Sequence, residues 1–184
     1  YYNVLPGMPV TAVFKSNVMT GEPVRYVAGN VLSGHQVGLD EMISIYDNQF
    51  TVLDEGTENH EFMGWMMPRF DEFNAGCTDP AKMFDCAFTR WLFGKKHYEW
   101  DARLKGGRRA IIVSGQYDKV FPMDIYPEYL IKAMIAGNID KMEALGVYEV
   151  APEDFALCEY VCTSKMPLQA IVRTALDNLK KEIE

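Results

Sequence analysis

An α+β fold is predicted by two observations. Short β-branched runs separated by Gly and Asp turns occupy the first half of the chain, and from about Pro122 the composition turns helical, with three Pro starts and two Gly stops. Composition agrees: 184 residues with 48% apolar and 24% charged side chains suit a soluble folded protein, long enough to bury a core as one domain or two small ones.

The strand candidates come first. Val24 to Val31 carries three valines and a tyrosine and runs into the Ser33-Gly34 turn. Ile43 to Leu53 alternates well enough for a strand, with an interruption near Asp47-Asn48. Asp54-Glu55-Gly56 supplies turn chemistry, and Glu61 to Met66 returns as the hairpin partner until Pro68 stops it. Asp79-Pro80 opens a helix whose Met83, Phe84, Ala87, Phe88, Trp91 and Leu92 form one apolar stripe, ended by Gly94. A basic loop to Arg109 leads into a short strand, Ala110 to Val113.

Four short helices come next. Pro127 to Ala136 carries Leu130, Ile131, Met134 and Ile135, closed by Gly137. Asn138 caps a second helix with Met142 and Leu145, closed by Gly146. Pro152 opens a third through Phe155, Leu157, Cys158 and Val161. Pro167 opens the last, with Leu168, Ile171, Val172, Ala175, Leu176, Leu179 and Ile183 on its buried side. The expected division is a β-rich part over 1–120, with one amphipathic helix, and a small helical bundle over 121–184.

Several function classes are disfavoured. The net charge of −8 argues against nucleic acid as a partner. The longest uncharged stretches, Tyr1 to Phe14 and Tyr26 to Leu39, are each 14 residues and broken by Gly, short of the roughly 18 a membrane span needs. Nothing in the opening residues marks secretion, and Tyr1 to Gly7 reads as the interior of a longer chain. Cys77, Cys86, Cys158 and Cys162 are too thinly spread for a disulfide scaffold and suit free thiols in a reducing compartment. His35, His60 and His97 are far apart, and neither a metal-ligand spacing, a nucleophile elbow nor a phosphate loop occurs; Gly106-Gly107-Arg108-Arg109 reads as a turn.

Four groupings have a bland reading and a functional one. Glu153 and Asp154 fall in the first turn of a helix, where the helix dipole accounts for them. Cys158 and Cys162 lie one helical turn apart and could supply half of a metal or cluster site; the bland reading is buried free thiols. A ferredoxin-type run would carry two more cysteines upstream at three-residue steps, where Phe155 and Pro152 stand instead. Phe62-Met63-Gly64-Trp65-Met66-Met67-Pro68 could line a quinone or partner surface through Phe62, Trp65, Met66 and Met67, or simply face a sheet core. Thr89 to Arg109 holds seven Lys/Arg against Glu99 and Asp101, a net +5 that leaves the rest of the chain at −13. With Trp91, Phe93, Tyr98 and Trp100 interleaved, it suits an acidic partner or anionic headgroups, or else is a solvated loop.

Four blocks carry a resemblance: Gly29-Asn30-Val31-Leu32-Ser33-Gly34, Gly64-Trp65-Met66-Met67-Pro68, Gly115-Gln116-Tyr117-Asp118-Lys119-Val120-Phe121-Pro122-Met123-Asp124, and Leu157-Cys158-Glu159-Tyr160-Val161-Cys162. In this order, across nearly the whole chain, they resemble the C-terminal part of the A-type subunit of the bacterial Na+-translocating NADH:quinone reductase. The resemblance implies the end of a ubiquitin-like β-grasp domain of the soluble-ligand-binding (SLBB) type, a strand-and-loop connector and a C-terminal helical domain. It also implies similarity to the NADH-binding flavoprotein of respiratory complex I and to a component of the Rnf complex, whose helical domains carry iron–sulfur clusters. Against that background Cys158 and Cys162 look like vestigial cluster ligands, with Thr163 where the usual Pro would stand.

By resemblance the chain is expected to be a cofactor-free scaffold and docking module, not catalytic alone, on the cytoplasmic face of the bacterial inner membrane. Its expected partners are the membrane and the other subunits, which hold the NADH site, the flavins and an iron–sulfur centre, with quinone as a further candidate. The resemblance associates the subunit with quinone but transfers no quinone-binding residue to a position in this sequence. Two alternatives remain open: an electron-transfer module with a Cys-ligated iron–sulfur cluster, and a quinone-binding module built on Phe62 to Pro68.

Overall fold

The structure, a computed structural model, describes residues 3–14, 23–56, 100–104 and 107–183. These fall into two compact units, one of 3–14, 23–56 and 100–103 and the other of 104 and 107–183. The described strands all lie in the first unit and all but one of the described α-helices in the second, an α+β arrangement.

The first unit is built on a three-stranded antiparallel sheet. Strand β1 (Val24–Ala28) lies between β2 (His35–Gln36) and β3 (Phe50–Asp54), with Ala28 opposite both His35 and Phe50. The expected strand over Val24 to Val31 stops at Ala28 because Gly29 takes φ 97, a conformation that ends an extended run. The Asn30 side-chain oxygen then accepts from the Leu32 and Ser33 amides, each at 2.8 Å. Gly34 is required by space: a Cβ there would stand 2.4 Å from the Asn30 carbonyl oxygen.

Helix α1 (Val10–Phe14), which follows Pro9 and is absent from the sequence expectations, covers the sheet with buried Val10 and Phe14. The Phe14 ring meets Tyr26 at 4.6 Å and the edge of Phe50 at 5.5 Å. The expected strand over Ile43 to Leu53 is corrected, since only its last part is strand. Ser44 to Asp47 forms a turn instead, its Ser44 amide bound to Asp47 Oδ2 at 2.9 Å, and local side-chain hydrogen bonding overrides the alternation.

In the second unit, α2 (Pro127–Ala136), α3 (Ile139–Ala144), α4 (Ala156–Val161) and α5 (Leu168–Ile183) surround one core. The punctuation works as expected. Gly137 ends α2 at φ 65, and the Asn138 amide reaches back to the Ala133 carbonyl at 3.1 Å. The Asn138 side chain then caps α3 by accepting from the Lys141 amide at 3.0 Å. Helix α5 buries Leu168, Val172, Ala175 and Leu179 against α2 and α4. The stretch after Pro152 is a tight 3-10 turn to Phe155 before α4 begins.

The remaining expectations have mixed outcomes. Ile135 and Leu157 are exposed at the edges of their helical stripes. Ala110 to Val113 is not a strand: the Ala110 carbonyl accepts from Ser164 Oγ at 2.9 Å, and no strand pairs with the segment among the described residues. The return strand Glu61 to Met66 and the helix expected from Pro80 lie outside the described residues.

Candidate functional site

The most organised side-chain cluster in the helical unit surrounds the paired thiols. Helix α4 carries Cys158 in its middle and ends at Cys162, its C-cap, whose ψ of 112 turns the chain away. The i, i+4 spacing turns both sulfurs to the core, where each is buried and free. Tyr117, on a short 3-10 turn over 117–119, lies against them. Its hydroxyl is 2.9 Å from Cys162 Sγ, and its carbonyl is 4.0 Å from Cys158 Sγ.

That turn is held by Glu128, a carboxylate buried in the first turn of α2. Its Oε1 accepts from the Ser114 amide, the Ser114 hydroxyl and the Gly115 amide, each at 3.0 Å. Its Oε2 has no hydrogen-bond partner among the described residues. The acidic end of α2 thus clamps the loop that delivers Tyr117. Gly115 takes φ 66, which makes the bend after Ser114 easy.

Burial pushes the Cys158 thiol up to about 12, with Asp118, Cys162 and Glu128 adding to the effect. Tyr117 is pushed up as well, first by burial and then by its contact with Cys162. Both groups therefore stay protonated near neutral pH. A thiol in that state is a poor nucleophile, since attack needs the thiolate. Among the described residues the groups beside the two sulfurs are a phenol and a carbonyl, and Cys77 and Cys86 lie outside those residues.

The other sequence candidates are distributed as follows. Phe62, Trp65, Met66 and Met67 lie outside the described residues, as do Cys77, Cys86, His60 and His97. His35 is exposed on β2. Most of the basic island also lies outside; within its described part Arg103 Nε donates to Asp101 Oδ2 at 2.8 Å. Asp154 Oδ2 accepts from the Ala151 amide at 2.8 Å, and Glu153 pairs with Arg173 at 3.3 Å, so both carboxylates have structural work. Among the described residues, no group of three or more His, Cys, Asp or Glu side chains could hold a metal ion, and no helix is long and apolar enough to cross a membrane. Sequence reasoning missed Glu128, which reads as an ordinary first-turn acid beside Pro127.

No protein-family model matches the chain. The A-type subunit of the Na(+)-translocating NADH-quinone reductase of Rhodopirellula baltica is 32% identical over 177 residues, 96% of this chain and 37% of the relative. The same subunit of Pasteurella multocida is 35% identical over 177 residues, with the same shares. That of Vibrio parahaemolyticus is 34% identical over 168 residues, 91% of this chain and 35% of the relative. Over nearly its whole length the chain is similar to the A-type subunits of these reductases. It corresponds to their C-terminal part and spans little more than a third of their length.

Three of the four blocks that resemble this family now have physical meaning. Gly29 to Gly34 is the turn joining β1 and β2. Gly115 to Asp124 is the segment that brings Tyr117 to the thiols, and Leu157 to Cys162 is helix α4 with its cap. The block from Gly64 to Pro68 lies outside the described residues.

Proposed function

We propose that this A-type chain is a cofactor-free docking and scaffold module of a Na+-pumping NADH:quinone reductase. In this reading it sits peripherally on the cytoplasmic face of the bacterial inner membrane and binds the other subunits. Those subunits carry the NADH site, the flavins and the iron–sulfur centre through which electrons reach quinone as sodium is exported. The sheet of β1 to β3 with α1 is read as the end of an SLBB-type β-grasp domain. The chain itself performs no redox step.

The observation that carries this reading is the state of the two cysteines. Cys158 and Cys162 occupy the tail of a ferredoxin-like pattern, yet they serve as packing groups under Tyr117. Burial pushes the Cys158 thiol up to about 12, so it stays protonated within this packing at neutral pH. The match to A-type relatives over 96% of the chain supports the assignment to the complex.

The test is made in the assembled reductase. Cys158→Ala and Cys162→Ala should leave iron per complex and NADH-driven quinone reduction unchanged. Leu168→Asp, which puts a carboxylate into the helical core, should lower the amount of this chain retained on washed membranes and lower activity in proportion. Stoichiometric iron loss in either cysteine variant would overturn the reading in favour of electron transfer. A raised KM for quinone in Trp65→Ala, with retention of the chain unchanged, would favour quinone binding at Phe62 to Pro68.

A further inference from the structure

Residues 111–120 form a loop pinned at both ends. At its start the Arg109 amide donates to the Ser164 carbonyl at 2.8 Å, and Ser164 Oγ donates to the Ala110 carbonyl at 2.9 Å. At its end Phe121 is buried against Phe155, with ring centroids 4.8 Å apart. Between these points Tyr117 is the one buried side chain. Ile111 and Val120 are half-buried beside it, and Ile112, Val113, Asp118 and Lys119 are exposed. A loop that buries so little apolar surface opens at a small free-energy cost. Its strong tie is to Glu128, whose Oε1 accepts from the Ser114 amide, the Ser114 hydroxyl and the Gly115 amide. That carboxylate is only half satisfied, because it is 2% exposed and its Oε2 has no hydrogen-bond partner among the described residues.

Of the two thiols under this loop, Cys162 is the less firmly held. The Tyr117 hydroxyl meets its Sγ at 2.9 Å, and sulfur is a weak hydrogen-bonding partner. Cys162 has already left the helix, since its amide reaches back three residues, to the Glu159 carbonyl at 3.3 Å. Lys165 follows at φ 54, a left-handed conformation that strains a residue with a side chain. Cys158, by contrast, lies in mid-helix within the core. We propose that residues 111–120 are a strap that opens as a unit while the helical core stays folded, that Glu128 is its latch, and that the opening makes Cys162 a site of thiol–disulfide exchange. With the strap lifted, Cys162 gives its proton to water and its thiolate attacks one sulfur of a small disulfide, oxidised glutathione. That S–S bond breaks, a mixed disulfide forms on Cys162, and the other half leaves as thiolate. The added group then stands where the Tyr117 hydroxyl was and keeps the strap from closing. This redox-sensitive switch is independent of the docking reading.

The experiment incubates the full chain with oxidised glutathione at fixed pH and follows each cysteine by peptide mass mapping, as urea is raised below the unfolding transition. Modification of Cys162 should rise with urea on a slope about one third or less of that of global unfolding, while Cys158 follows the global slope. Glu128→Ala should speed Cys162 about tenfold without steepening that slope, and Glu128→Gln, which keeps an acceptor oxygen, should speed it less. Leu179→Ala weakens the same core beside Met134 and Met142, at the opposite end of α2 from Glu128, and should leave Cys162 unchanged at low urea. Once modified, the chain should be cut by trypsin after Lys119 several times faster, and a reductant should restore the original rate. Cys162 reacting only along the global slope, Cys158 keeping pace with it, or Leu179→Ala matching Glu128→Ala would overturn the strap. Unchanged cleavage after Lys119 in the modified chain would overturn the switch. The slope in the unaltered chain decides the matter even where Glu128→Ala does not fold.

Discussion

Cys158 shows how one buried thiol ties stability to pH. Its ordinary value near 9.0 rises to about 12 in the fold, chiefly through burial. Between those values the unfolded chain has lost a proton that the folded chain keeps. Stability is therefore full below about pH 9 and falls as pH rises toward about 12. Tyr117, also pushed upward, contributes in the same direction. Urea midpoints should fall over this range, with a shallower slope in Cys158→Ala than in the unaltered chain. Equal slopes would mean that the thiol is not desolvated. Glu128 makes the complementary case. Replacing it with Ala strips three donors of their acceptor and should cost about 2–3 kcal/mol in urea unfolding. Glu128→Gln keeps an acceptor oxygen and should cost less.

The elements show where local chemistry decides. Gly34 lies where a Cβ would meet the Asn30 and Ala28 carbonyl oxygens at 2.4 and 2.6 Å and Val27 Cγ1 at 2.7 Å. Gly34→Ala should therefore destabilise the first unit by about 1–3 kcal/mol, read as earlier loss of its β signal on heating. The helices from Pro127 onward were legible because Pro, Asn and Gly act within a few residues. Pro127, Gly137 and Asn138 do in the fold what their positions predict. The run from Ile43 was misread because Asp47 and Ser44 bond each other's backbone, which the apolar alternation does not reveal. Helix α1 was missed because Val10, Thr11 and Val13 are β-branched and favour strand; contacts between Phe14, Tyr26 and Phe50 override that preference. The spacing of the two cysteines was legible. Their enclosure was not, since Tyr117 and Glu128 reach the cluster only through tertiary packing.

At the scale of the whole molecule, the chain joins a small sheet unit to a helical unit whose core closes over two thiols. The docking account makes the chain a surface provider, with its thiols set aside as packing. The most direct test of that account is an anaerobic ultraviolet–visible spectrum with iron analysis on freshly purified chain. The account predicts a colourless protein without iron, its Cys158 thiol unreactive toward a disulfide reagent until urea is added. Visible absorbance with stoichiometric iron, lost in Cys158→Ala, would contradict it and put electrons through this domain.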